Sequence, residues 1–173
     1  MYKIFLIIIL FLNVSLVNAE ELDSWGKLVL KGTTYFKKSN NKPFTGILKN
    51  FHSSKSISLI SNFKEGKQHG EFKTFHLNGE LSIKGQFVNG KKNGEWFEFY
   101  DDGSLYWKLN YTNGKIADGL FEMFHKNGSL KSSVTYNNNK PATNWTYFDD
   151  EGKIERIDIY ENGKFFYEKH SDK

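Results

Sequence analysis

Three histidines at equivalent places, His52, His76 and His125, are the residues in this 173-residue chain whose spacing most invites chemistry. Tyr100 and Asp149 complete their column. A ladder of imidazoles suggests metal binding. Neighbouring members would sit about 10 Å apart, however, too far for two to share an ion with ligand bonds of about 2.1 Å. The expectation is therefore a polar strand-end position and no metal site. Carboxylates gather only at Asp101-Asp102 and Asp149-Asp150-Glu151, where turn geometry accounts for them. Glu71 and Glu95 share a column, but Leu120 and Asn144 replace them further on. The chain has no cysteine, no Gly-x-Ser-x-Gly, no phosphate loop and no His-Glu-x-x-His. It is expected to be no enzyme and to need no cofactor.

Two further columns point to binding. Lys67, Lys91, Lys115, Lys140 and Lys164 each follow a turn and would line one edge as a cationic rail. Such a rail could contact an anionic membrane surface, each lysine contributing about 1 kcal/mol. The favoured reading is that these lysines only solvate the turns, since Glu65, Asp118 and Glu161 dilute the field. Trp96, Phe97, Phe99, Tyr100, Tyr106 and Trp107 form the densest aromatic cluster. Trp and Tyr are enriched at binding hot spots. Trp96, Phe97, Tyr100, Tyr106 and Trp107 are the candidate partner contacts, about half core and half exposed because strand neighbours alternate faces.

What positions these residues is a repeat of 24 residues with units beginning at Gly46, Gly70, Gly94, Gly119 and Thr143, the third one residue longer near Ala117. Counting the first residue as zero, position two reads Leu48, Phe72, Trp96, Phe121, Trp145 and position five Phe51, Phe75, Phe99, Phe124, Phe148. Position eleven reads Ile57, Leu81, Leu105, Leu130, Ile154, and position seventeen Phe63, Phe87, Tyr111, Tyr136, Tyr160. A module this small cannot bury its apolar face alone, so the units must stack.

Each unit reads as two short strands. Asn78-Gly79, Asp102-Gly103, Asn127-Gly128 and Glu151-Gly152 mark one turn, and Glu65-Gly66, Asn89-Gly90, Asn113-Gly114 and Asn162-Gly163 the other. Lys55 stands where the first unit's turn glycine belongs and predicts a less regular hairpin. Asn138-Asn139 can still adopt the left-handed conformation. Positions eleven and seventeen share strand parity and are expected on one face. Positions two and five differ in parity, which requires either a bulge or aromatics on both faces.

The expected fold is all-β: an elongated, single-layer, twisted antiparallel sheet of consecutive β-hairpins, about ten strands and about 50 Å long. Residues 20–45 form an N-terminal β cap, 46–167 the five repeats and 168–173 a disordered tail. Residues 1–19 carry Lys3, an apolar run from Ile4 to Leu12 and Val17-Asn18-Ala19, the pattern of a cleaved secretory signal. The alternative is a membrane anchor, against which Asn13, Ser15 and Asn18 shorten the apolar core. A formal net charge of +4 without a concentrated basic patch disfavours nucleic acid as a partner.

The motifs Gly70-Glu71-Phe72, Gly94-Glu95-Trp96-Phe97-Glu98-Phe99-Tyr100, Asn78-Gly79-Glu80-Leu81 and Phe87-Val88-Asn89-Gly90-Lys91 resemble the MORN repeat, in the variant of bacterial YwqK-like proteins. Pro43-Phe44-Thr45-Gly46 is similar to the segment that opens such arrays, and the resemblance spans roughly residues 28–167. It implies an elongated twisted sheet of hairpins and no catalytic residues. Its functional implications are protein binding or scaffolding, contact with membranes, or neutralisation of a cognate toxin. Combined with the leader, the expectation is an exported, periplasmic or extracellular repeat protein. It would bind a protein partner at the cell envelope, with an edge-to-edge homodimer as a further arrangement.

Overall fold

A computed structural model describes residues 19–171. The expected leader lies outside them apart from Ala19. The strands are β1 (Glu21–Leu22), β2 (Leu28–Lys31), β3 (Thr34–Lys37), β4 (Gly46–Phe51), β5 (Ile57–Lys64), β6 (Lys67–Phe75), β7 (Leu81–Val88), β8 (Lys91–Phe99), β9 (Leu105–Thr112), β10 (Lys115–Ile116), β11 (Gly119–Phe124), β12 (Leu130–Asn137), β13 (Lys140–Pro141), β14 (Trp145–Phe148), β15 (Ile154–Glu161) and β16 (Lys164–His170). One 3-10 turn, Trp25–Lys27, interrupts them.

The main sheet runs β1-β4-β5-β6-β7-β8-β9-β11-β12-β14-β15-β16, with β10 added to β9 and β13 to β12. From β5 onward each strand in that order pairs antiparallel with the one before it, so successive hairpins join edge to edge. The links between units turn through paired left-handed residues, for example Asn89 at φ 51° and Gly90 at 79°. That geometry suits the right-handed twist of two-residue hairpins. Asn138 and Asn139 take the same conformation at 50° and 61°, as their side chains allow. The single residue inserted at Ala117 breaks what is one continuous strand in β6 and β8 into the pair β10 and β11.

Lys55 departs from expectation. It adopts φ 68° in the glycine's place, and its hairpin keeps the hydrogen bonds of its counterparts. His52 N donates to Ser56 O at 2.9 Å, as His76 N does to Glu80 O at 2.8 Å. The hairpin is thus regular, and the strain falls on Lys55. Lys55→Gly should stabilise the protein by about 1 kcal/mol, the left-handed penalty less glycine's extra unfolded-state entropy. Urea unfolding would register this as a higher midpoint at unchanged slope.

The parity question resolves through a bulge in every unit. The register shifts just before position five, so Phe51, Phe75, Phe99, Phe124 and Phe148 face Ile57, Leu81, Leu105, Leu130 and Ile154 respectively. Cross-strand partners share a face. Column eleven therefore joins column five on one face, and columns two and seventeen occupy the other. This corrects the expectation that eleven and seventeen lie together: the extra bulged residue inverts the alternation between them.

At the N-terminal end β1 pairs parallel with β4. The β2–β3 hairpin forms a separate two-stranded sheet laid over the first unit, where Leu28, Phe44, Leu48 and Phe63 make a buried cluster with Leu22, Trp25, Tyr35 and Leu59. Among the described residues the array is single-layered except under this cap. At the other end β16 continues through His170, paired with Arg156. Residues 168–170 are therefore strand and not the expected tail, because the alternating Phe165-to-His170 segment completes β15's hydrogen-bonding edge.

Candidate binding surfaces

Columns two and seventeen generate an aromatic spine along one face. Trp96 is its centre. Its ring lies 5.5 Å from Phe72, 5.0 Å from Phe87 and 6.1 Å from Tyr111, mostly edge-on. Further along, Phe121 meets Tyr136 at 6.5 Å and Trp145 at 5.5 Å. The aliphatic column beside the rings lets them pack. Gly85 leaves the space that Trp96 fills, and Leu109 and Val134 take the equivalent place later on.

The five aromatic candidates do not form one patch. Trp96 is 1% exposed and belongs to the core, with Nε1–H donating to Gln86 O at 3.2 Å; it is withdrawn as a contact residue. Trp107 stands on the same face, half-buried, donating from Nε1 to Glu98 Oε2 at 2.6 Å. Phe97 is on the opposite face, stacked with Phe99 at 6.3 Å beneath Lys84 Nζ. Tyr106 packs against Tyr100 at the strand ends, their rings 4.9 Å apart. The alternation of β8 and β9 separates residues that are neighbours in sequence.

Lys92, which no sequence signal singled out, lies over Trp96 and Tyr111 at 4.2 and 4.9 Å from the ring centres. Burial lowers its pKa, with Glu98 opposing the shift. Burial also raises the phenols of Tyr111 and Tyr136 above 10.0. A tyrosine whose folded pKa is raised holds its proton longer folded than unfolded. The stability it confers is whole below pH 10 and is lost as pH climbs through the raised value. Ultraviolet titration of phenolate should show Tyr111 and Tyr136 ionising later than in the urea-unfolded chain.

The histidine column has a structural task. His52, His76 and His125 each direct Nε2 at the position-five carbonyl of the next unit, on Phe75, Phe99 and Phe148, at 2.9 to 3.0 Å. Tyr100 substitutes its hydroxyl, donating to Phe124 O at 2.9 Å. The column thus supplies one lateral donor per junction. Asp149, in the last unit, cannot donate and instead accepts from Glu151 N and Lys153 N. His125→Ala should cost about 1 kcal/mol by orphaning the Phe148 carbonyl. In thermal unfolding His125→Gln, which keeps a donor, should recover part of the loss.

The lysine rail is present as geometry. Lys91, Lys115, Lys140 and Lys164 are exposed and Lys67 is half-buried, and none of the five forms an ion pair among the described residues. The stems of Lys91 and Lys140 pass beside Gly114 and Gly163, one turn further along. Lys67 and Lys91 border a shallow groove with Asn89, Asn93 and Asn113.

No curated protein matches the chain. Three segments, residues 68–89, 92–113 and 117–138, match the family model described as MORN repeat variant. The first unit up to residue 67 and the fifth unit, with Lys55 and Thr143 in place of glycine, lie outside the matched stretches. The three central hairpin units are thus similar to the MORN repeat variant.

Proposed function

We propose that this chain is an exported, non-enzymatic repeat protein whose aromatic spine binds or scaffolds a protein partner at the cell envelope. The observation that carries the reading is how the spine is covered. Over the first unit the chain's own cap seats Trp25, from the 3-10 turn, and Tyr35, from β3, on Phe63, at 5.9 and 5.5 Å. Over the following units Phe72, Phe87, Tyr111, Tyr136 and Tyr160 continue the same face half-exposed, with no hairpin above them among the described residues. Large aromatic rings in a fixed row offer contact area at low entropic cost. Repeats of this class commonly serve as protein- or membrane-binding modules. A photo-crosslinking residue at position 136, with position 63 under the cap as control, tests the reading in envelope fractions. A discrete adduct from 136 alone is expected; none from either position would sink it.

Peripheral attachment to anionic membrane is the second reading, favoured by the unpaired lysines of the turn edge. It requires flotation with anionic vesicles and none with neutral ones. Replacing Lys91, Lys115 and Lys140 together by Gln should abolish it.

A further inference from the structure

The turns that link one unit to the next are clamped to the unit before them through the backbone donors of their two central residues. The first residue donates to a side chain: Glu65 N to Thr45 Oγ1 at 2.9 Å, Asn89 N to His69 Nδ1 and Asn113 N to Asn93 Oδ1 at 3.4 Å, and Asn138 N to Asp118 Oδ1 at 2.7 Å. The second donates to the carbonyl just ahead of that side chain: Gly66 N to Phe44 O, Gly90 N to Gln68 O and Gly114 N to Lys92 O, at 2.7 to 2.8 Å. The fourth turn exchanges this second bond for one from Ile116 N to Asn139 Oδ1 at 2.9 Å.

The last turn, Asn162-Gly163, has neither clamp. Ala142 stands where Thr45, His69, Asn93 and Asp118 offer an acceptor, and its side chain has none to give. Among the described residues neither Asn162 N nor Gly163 N finds a partner. The turn itself is unchanged: Asn162 takes φ 52°, against 51° for Asn89 and 53° for Asn113.

Asparagine is a thermolabile residue, and a following glycine leaves its nitrogen unshielded for attack on the amide. Base removes the glycine N–H proton, and the nitrogen attacks the asparagine Cγ. The N–Cγ bond forms, the Cγ–Nδ2 bond breaks and ammonia leaves with a proton from water. Water then opens the cyclic imide at either carbonyl, giving aspartate or isoaspartate. The attack requires the turn to rotate out of its left-handed conformation with the glycine N–H released, a local opening that the clamps oppose.

We propose that Asn162 is a spontaneous deamidation site, converting ahead of every other asparagine in the chain. Asn89, Asn113 and Asn162 share the sequence Asn-Gly-Lys and are all exposed, so neither intrinsic reactivity nor access separates them. The missing clamp does. In the other Asn-Gly pairs, Asn78, Asn93 and Asn127 each have a side chain held by backbone hydrogen bonds. Each event at Asn162 exchanges a neutral amide for a carboxylate in the turn that feeds β16, and isoaspartate adds a methylene to the backbone there.

The test incubates the full chain in warm, mildly alkaline buffer and follows amide-to-acid conversion at each asparagine by mass spectrometry of its peptides. Two hydrogen bonds fewer should make Asn162 convert about tenfold faster than Asn89 and Asn113. In urea, where no clamp survives, the three should agree to within about twofold. Ala142→Asp, at an exposed position, supplies the acceptor that Asp118 gives the fourth turn. It should slow Asn162 about threefold and leave Asn89 unchanged. Equal rates at the three sites in the folded chain overturn the proposal. So does the same ranking in urea, or an Ala142→Asp variant in which Asn162 converts as fast as before.

Discussion

Trp96→Ala is expected to destabilise the protein by about 4 kcal/mol, the range for emptying a core aromatic site. The ring is almost wholly enclosed by Phe72, Phe87 and Tyr111, and it lies across the bare backbone of Gly85. In a sheet largely one layer thick, no second layer can relax into the space. The partner substitution makes the cause testable. Gly85→Ala would drive a Cβ into the indole ring and should itself cost about 2 kcal/mol by overpacking. In the double variant that methyl group enters the vacated space, so the two losses should not add. Urea unfolding followed by circular dichroism measures all four proteins. Additive losses would show that Gly85 and Trp96 do not share the site.

Gly66→Ala should be nearly as damaging, about 3 kcal/mol from left-handed strain and steric overlap combined. Gly66 takes φ 76°, and an added Cβ would stand 2.6 Å from the Tyr35 carbonyl oxygen. The residue also ties the cap to the array: Tyr35 N donates to Gly66 O and Gly66 N to Phe44 O, both at 2.7 Å. Lifting the β2–β3 hairpin would expose Phe63 and Trp25. Increased quenching of tryptophan emission and earlier proteolysis in residues 28–45 are therefore expected. The same substitution at Gly90, with open space around it, should carry the conformational penalty alone.

Much of this architecture was legible because its determinants are local. Glu65-Gly66, Asn89-Gly90, Asn113-Gly114 and Asn162-Gly163 each set a left-handed two-residue turn between units, whereas in Asn78-Gly79, Asn127-Gly128 and Glu151-Gly152 the glycine alone is left-handed; repeated in phase, the two kinds of turn dictate the order in which hairpins follow. The turn at Lys55 shows the limit of local rules. Its neighbours' hydrogen bonds enforce the geometry against the residue's preference. The candidate surface was legible by composition and not by arrangement. Trp96, Phe97 and Trp107 are dense in the sequence, yet a bulge and the strand alternation send them to the core, the far face and the spine.

The histidine column carried a sequence signal that composition could not interpret. Its partner is a backbone carbonyl 23 residues further on, a group every residue type presents. The unclamped turn at Asn162 was invisible for a similar reason: Asn-Gly-Lys reads alike in three turns, and only contact between units shows that Ala142 offers the last one no acceptor. By itself, then, the sequence determined the repeat, its turns, the two paired strands of each unit and the all-β class, since period and turn chemistry act within a few residues. Tertiary structure alone decided which face each column occupies, what the cap covers and where polar side chains converge. A bulge of one residue inverts every side chain beyond it, and that inversion depends on pairing between strands.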